Sequence, residues 1–289
     1  MNPYEKLIQR KRKWTPVAVT GGPVAEGTED AISRCLALRV LEIPVGDFIK
    51  EATSKEVPES ARKILSLNII DEENHDTALN YVADTFDVDA KTTKEAQSIA
   101  EAWISHPEHP IVKAMVLERS IFFTILPFFR AYGNSGMRTT SADISRDEQI
   151  HVGTNSLVCA ELGLTPSPSL DKLRKATASW LFNNLKGEGR MSKQFWTDSS
   201  DRLMYQGKAP ELSFTKAARM PAFFEHNNVN FSPNMLEIFG MEARAVLNEM
   251  DDRFPPVNPS PDDSIEKIMY RSGQRSVVEW LTNRLDNNG

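Results

Sequence analysis

From residue 28 to residue 162, apolar side chains recur at intervals of three and four, the spacing that gathers them on one face of an α-helix. Four long helices follow from that pattern. The first runs from Thr28, followed by Glu29 and Asp30, to about Lys50, and aligns Cys35, Leu38, Glu42, Val45 and Ile49. Pro44 falls inside it, so a kink or local irregularity is expected beside Glu42. The second begins near Pro58, a suitable first-turn residue, and reaches about Phe86, with Leu65, Asn68, Glu72, His75, Leu79, Val82 and Phe86 on its inner stripe. The third covers about Pro110 to Arg130, turns Met115, Glu118, Phe122, Ile125 and Phe129 inward, and should bend at Pro127. Tyr132-Gly133-Asn134-Ser135-Gly136 then turns the chain into the fourth, about Thr140 to Leu162. Its stripe of Ser141, Ile144, Glu148, His151, Asn155, Val158 and Leu162 matches the second position for position.

Outside these helices the pattern weakens. Residues 1 to 27 hold a short polar or amphipathic segment that breaks at Gly21-Gly22-Pro23. Residues 91 to 105 make an additional helix, and His106-Pro107-Glu108-His109-Pro110 follows; its prolines mark a turn, not a second metal site. Beyond Gly163, Pro166 and Pro168 open a different region, with helices near 169–185 and 233–251. Phe254 to Pro261 is a linker by composition. Asp263 or Ser264 caps a final helix to about Leu285, whose Ile265, Ile268, Met269, Val278, Leu281 and Leu285 favour packing on the body or on a partner.

Charged residues stand in the middle of the apolar seams. Asp71-Glu72-Glu73-Asn74-His75 and Asp147-Glu148-Gln149-Ile150-His151 both read D-E-x-x-H, and a Glu and a His three residues apart share one helix face. Glu42 precedes Glu72 by thirty positions and Glu118 precedes Glu148 by the same thirty, enough for a turn and the approach along a partner helix. A carboxylate in an apolar stripe is costly unless a charge compensates it, and a metal ion does so. Four Glu and two His make an oxygen-rich set with one nitrogen donor per metal, suited to iron or manganese. Asp71 and Asp147 are placed to accept from the ligating imidazoles, while Leu79, Phe122 and Ile144 line the site. The longer connection between the second and third helices can cross the bundle, as a ferritin-like fold requires. The expected fold is therefore all-α, with an N-terminal segment (1–27), a ferritin-like dimetal core (28–165) and a C-terminal helical extension (166–289).

Composition narrows the rest. Hydrophobic content of 40% and charged content of 26% over 289 residues are those of a soluble globular protein. A net charge of −6 gives no reason to expect nucleic-acid binding, and Lys6, Arg10, Lys11, Arg12 and Lys13 read as a solvated end. Cys35 and Cys159 lie among apolar neighbours as buried small residues. With no apolar leader and no run near the ~18 residues of a membrane span, no membrane association is expected and the cytoplasm is the default location.

Ile144-Ser145-Arg146-Asp147-Glu148-Gln149-Ile150-His151 resembles a ligand helix of the radical-generating small subunit of class I ribonucleotide reductase. Leu117-Glu118-Arg119-Ser120-Ile121-Phe122-Phe123 is similar to the ligand helix before it, and Glu72-Glu73-Asn74-His75 with Ala83-Asp84-Thr85-Phe86 to the earlier one. The resemblance covers about residues 28 to 163 and is strongest from 110 to 160. It implies two metal ions per chain, iron/iron or manganese/iron with manganese/manganese also open, activation of molecular oxygen, a homodimer, and a large catalytic reductase subunit as partner. It implies Glu42, Glu72, His75, Glu118, Glu148 and His151 as ligands and Asp147 as support for a ligand His; Glu42 stands where the family often has Asp.

Several positions depart from that family. Leu79 stands where the family commonly carries its radical-storing tyrosine, and Tyr81 should point elsewhere, so an oxidant held at the metals is expected instead. Trp14 is the candidate for the family's radical-transfer tryptophan, with a shortened spacing to Glu42. No flexible acidic tail is evident, and Tyr270 reads as a packing residue. The leading expectation is a divergent reductase-like oxygen-activating dimetal oxidoreductase. The alternatives are a stand-alone di-iron oxidase or oxygenase of desaturase or N-oxygenase type acting on a small molecule, and a non-enzymatic ferritin-like scaffold.

Overall fold

A computed structural model of the chain describes residues 2–55, 57–207, 250–251, 254–256 and 264–286. Its helices are α1 (Pro3–Arg10), α2 (Glu29–Ala37), α3 (Glu42–Thr53), α4 (Glu59–Ala83), α5 (Ala90–Ser105), α6 (Pro110–Val116), α7 (Phe123–Tyr132), α8 (Ser135–Glu161), α9 (Pro168–Leu181), α10 (Lys193–Gln206) and α11 (Ile265–Asp286). Among the described residues there is no sheet; one isolated antiparallel bridge joins Lys186 and Ser192. No described helix is long and apolar enough to cross a membrane.

Four helical columns enclose the core. α3 packs on α4, α4 on α8, α8 on α6 and α7, and α6 back on α3, the closed arrangement of a ferritin-like bundle. α5 makes the crossing between α4 and α6 and packs on α2. The inner stripes are those the periodicity gives: Leu65, Asn68, Glu72, His75, Leu79 and Val82 on α4, and Ser141, Ile144, Glu148, His151, Asn155 and Val158 on α8, are all buried. α9 and α10 cover the side formed by residues 117 to 122, and α1 lies across α4 and α8.

Three helix boundaries differ from the sequence expectation, each for a local reason. The first expected helix is broken by a 3₁₀ turn at Leu38–Leu41 and restarts at Glu42. Pro44 has no N–H to offer the Val40 carbonyl and its ring would crowd it; the restart puts Pro44 in the first turn of α3, where no intrahelical partner is required. α4 ends at Ala83 and not at Phe86, because Thr85 turns its hydroxyl back to the Val82 carbonyl at 2.7 Å; Phe86 leaves the helix yet still packs on the core. α8 starts at Ser135, five residues earlier than expected. Asn134, read from the sequence as part of a turn, is the N-cap and accepts from the Met137 N–H at 3.0 Å. Gly136 is required there, since a Cβ would stand 2.7 Å from Val19 of the N-terminal segment.

The third expected helix is divided into α6, a π segment at Leu117–Phe122 and α7. The departure from α geometry thus lies ahead of Pro127, not at it. His106 and His109 stand in the expected turn: each ring Nδ1 accepts a backbone N–H, from Glu108 at 3.2 Å and Ile111 at 3.3 Å. Cys35 and Cys159 are buried free thiols.

Residues 2–207 belong to one compact unit and the described residues from 250 onwards to a second. In the second unit Val278 of α11 is buried against Met250 and Phe254, and Arg275 pairs with Asp251 at 2.5 Å. Ile265, Met269 and Tyr270, expected to pack, are exposed. Phe223 and Phe224, aromatics whose sequence reading is as core residues, most of the 233–251 helix and much of the 254–261 linker lie outside the described residues.

Candidate metal centre

The repeated motif does in space what its spacing demands. Glu72 and His75 lie one turn apart on α4, Glu148 and His151 one turn apart on α8, and ligand atoms from all four lie within 4.8 Å of one another, fully buried. His75 Nδ1 is 3.3 Å from Glu148 Oε1, 3.4 Å from Glu72 Oε2 and 3.8 Å from Glu42 Oε2. His151 Nδ1 is 2.9 Å from Glu72 Oε1, 3.7 Å from Glu148 Oε1 and 3.8 Å from Glu118 Oε1. Each imidazole therefore faces both central carboxylates and one outer carboxylate of its own.

Helix irregularities sit at both outer carboxylates. Glu42 is the first residue of α3 after the 3₁₀ turn, and Glu118 lies in the π segment, where the Phe123 N–H reaches back five residues to the Glu118 carbonyl. A π turn widens the helix and re-aims its side chains, and such turns are common at functional sites. Asn155, on the α8 stripe, donates to Glu118 Oε2 at 2.6 Å.

The other ring nitrogens are held from outside. His75 Nε2 lies 3.4 Å from Asp147 Oδ2, and His151 Nε2 lies 3.1 Å from Asp71 Oδ2, so each imidazole on one helix meets the aspartate of the other. An Nε2–H given to a carboxylate leaves the Nδ1 lone pair directed at the cluster, the usual arrangement of a ligating histidine. Both aspartates have further partners that the sequence did not reveal. Lys11 pairs with Asp71. Trp14 Nε1 donates to Asp147 Oδ2 at 2.5 Å, and Arg12 lies 3.8 Å from Asp147 while donating to Asp143 at 2.9 Å. Lys11 and Arg12 are thus engaged with the bundle, and the reading of this basic run as a solvated end is corrected for those two residues.

The inner atoms meet only one another and have no hydrogen-bond partner outside the cluster. Both oxygens of Glu72 and Glu148, Glu42 Oε2, Glu118 Oε1 and the Nδ1 atoms of His75 and His151 are buried without one. Buried polar atoms are seldom left so, and eight gathered in one cluster form a group that could hold a cation. The protonation balance agrees. Burial, with Glu72 nearby, raises Glu42 to about 8; burial, with Glu148 nearby, holds Glu118 well above the usual carboxyl range; and burial also raises Glu148. Burial opposes charge on the histidines, yet the surrounding carboxylates push His151 up to about 10 and His75 well above its ordinary value. Burial likewise opposes ionisation of Glu72, but His151 and His75 outweigh it and hold this carboxyl below its usual range. Without metal, the cluster keeps protons where a cation would stand.

Leu79, Phe122 and Ile144 are buried in the same apolar core, Leu79 one turn beyond His75. A surface cleft of about 550 Å³ lined by Arg39, Asp84, Thr85, Phe86, Asp87 and Thr93 contains none of the six central residues.

Fold and site together define a ferritin-like helical bundle with a buried carboxylate–histidine group that can hold metal. The chain matches no protein-family model and no curated protein. A crystal structure from Bacillus halodurans, provisionally described as a class I ribonucleotide reductase, is similar at a TM-score of 0.49 and 16% identity, over 72% of this chain and 92% of that one. At that distance the likeness says nothing about chemistry, which rests on the centre's own geometry.

Proposed function

We propose that this protein is an oxygen-activating dimetal-carboxylate oxidoreductase allied to the small subunits of class I ribonucleotide reductase. The observation that carries the reading is the gathering of buried oxygen and nitrogen atoms from Glu42, Glu72, His75, Glu118, Glu148 and His151 that have no partner outside their own cluster. Glu72 and Glu148, each near both imidazoles, would hold the metal together with Glu42 beside His75 and Glu118 beside His151. A donor set rich in carboxylate oxygen with one imidazole per ion, and no thiolate, suits iron/iron or manganese/iron. When bound, such a pair supplies oxygen-activating redox chemistry. The protein's own part is to direct both Nε2–H groups to the carboxylates of Asp147 and Asp71, so that both Nδ1 atoms can face the metal, and to exclude water with Leu79, Phe122 and Ile144.

Two observations weigh on the choice within this class. Trp14, Asp147 and His75 form a contiguous polar path from a partly exposed indole to the centre, with the Trp14 and His75 rings 6.3 Å apart. That path supports the reductase-like reading, with a homodimer and a large catalytic subunit as proposed partners. Leu79 cannot store a radical; it fits an oxidant kept at the metals, and it also supports the second reading, a stand-alone oxidase or oxygenase acting on a small molecule.

The test is metal content after anaerobic loading with iron, manganese or both, followed by oxygen exposure with EPR and optical spectroscopy. About two ions per chain and an oxidised species without a tyrosyl signal is the expected result. Protein that stays metal-free would leave the bundle as a scaffold. Restoration of nucleotide reduction by a large subunit would select the reductase-like reading over the oxygenase.

A further inference from the structure

Residues 11 to 14 place three different side chains on the outside of the two histidines within a single short stretch. α1 is fixed first: Tyr4 is buried and donates to Glu161 of α8 at 2.9 Å, and Leu7 packs where Gly153 leaves room, 3.5 Å from the position of an absent Cβ. Just beyond it, Lys11 pairs with Asp71 on α4, Arg12 with Asp143 on α8, and Trp14 with Asp147 on α8. The segment therefore ties α4 to α8 directly behind both imidazoles.

We propose that Lys11 is a positioning residue of the metal centre: by pairing with Asp71 it fixes the carboxylate that holds His151 Nε2, and so aims His151 Nδ1 at the metal position. This inference rests on the dimetal reading given above. Asp71 and Asp147 do not depend on Lys11 equally. The Asp147 side chain is 2% exposed and keeps Trp14 and Arg12 as neighbours, whereas that of Asp71 is 13% exposed and has Lys11 between itself and water. Remove the ammonium and Asp71 is free to turn outward, leaving the His151 ring without its lock.

Charge balance points the same way. With all carboxyls ionised, the four glutamates, Asp71, Asp147 and the Asp143 that Arg12 also pairs with would carry seven negative charges; two divalent ions would offset four, and Lys11 and Arg12 two more, leaving one where loss of Lys11 would leave two. Asp71 is paired directly with an ammonium, whereas Asp147 has an indole N–H and a guanidinium at 3.8 Å, so the surroundings of the two imidazoles differ.

The test compares full-length wild type with Lys11→Met, which keeps most of the stem but removes the charge, and Lys11→Arg, which restores it. Two readouts are taken on each: the His151 imidazole N–H in metal-free protein by ¹⁵N NMR, and stepwise cobalt(II) binding by optical titration. In wild type the His151 N–H should be protected from exchange. Lys11→Met should lose that protection and bind one of two cobalt ions about 10-fold to 100-fold more weakly, while Lys11→Arg recovers both. Unchanged NMR protection and affinity in Lys11→Met would overturn the assignment. So would equal loss in Lys11→Arg, which would mark a packing role, and circular dichroism separates either from misfolding. Wild type that binds no cobalt would overturn the dimetal reading instead, and the NMR signal then decides the positioning role by itself.

Discussion

The two halves of the bundle carry the same motif at the same thirty-residue spacing, yet the structure builds them differently. In the first half the outer carboxylate, Glu42, opens a helix restarted because of Pro44, and its inner-facing oxygen, 3.8 Å from His75, has no hydrogen bond. In the second half Glu118 sits in a π segment and is held by Asn155 at 2.6 Å. Behind the imidazoles, Asp147 meets an indole with a guanidinium 3.8 Å away, and Asp71 an ammonium. What repeats is the set of groups that face the proposed ions, and what diverges is everything that tunes them. Two copies of one motif thus make a centre with two unlike ends.

The largest effect should come from the residue that belongs to both ends. Glu148 lies near both histidines, so Glu148→Ala should reduce metal content from about two ions per chain to less than one, with helical circular dichroism little changed. Because Glu148 also faces both buried imidazoles, its loss should lower metal-free stability while leaving the helices formed. Unchanged occupancy would remove Glu148 from the ligand set. Asn155→Ala should act at one end alone, weakening one of two binding steps about 10-fold to 100-fold while the other step stays as it was. Equal weakening of both steps would show that the halves are coupled too tightly to be treated as two ends.

How much of this could be read from the sequence follows from which interactions are local. The six central side chains were legible because a helical period turns sequence spacing into a shared face, and two equal spacings place four faces on one axis. Asn155 was legible as a stripe position but not as a partner of Glu118, since the hydrogen bond depends on the π segment re-aiming that carboxylate. Lys11, Arg12 and Trp14 were out of reach for a different reason. They contact residues 60 to 133 positions away from an irregular stretch with no period of its own, so a basic run looked like a solvated end. The start of α8 was misplaced because Gly133 and Gly136 signal a turn, while the Asn134 cap between them signals a helix.

Protonation offers a gentler probe of the same centre. In the metal-free protein Glu42 is raised from 4.5 to about 8, and His151 from 6.5 to about 10. Between those values the folded state holds more protons than the unfolded chain, so stability falls as pH rises. The His151 contribution is complete below 6.5 and is lost as pH climbs through about 10; the Glu42 carboxyl adds to the decline between 4.5 and about 8. Glu72 runs the other way, its contribution being lost only in acid. Metal binding displaces the retained protons, so its stabilisation grows with pH. Melting temperatures of metal-free and metal-loaded protein should therefore diverge from about pH 6 to about pH 9. Parallel curves would mean that the cluster does not exchange protons for metal.

The smallest effect should separate geometry from stability. Pro44 stands in the first turn of α3, where its missing N–H costs no intrahelical bond, so Pro44→Ala should change unfolding free energy by less than about 1 kcal/mol. It should nevertheless matter to Glu42. An alanine in place of Pro44 can donate to the Val40 carbonyl, so the 3₁₀ turn at Leu38–Leu41 loses its cause, and a continuous helix would rotate Glu42 away from His75. A few-fold weaker binding of one ion, with denaturant midpoint nearly unchanged, is the expected outcome. Asn155→Ala and Pro44→Ala should then weaken different binding steps, and their effects should add in the double variant. If both weaken the same step, Glu42 and Glu118 serve one position, and the division of the centre into a His75 end and a His151 end fails.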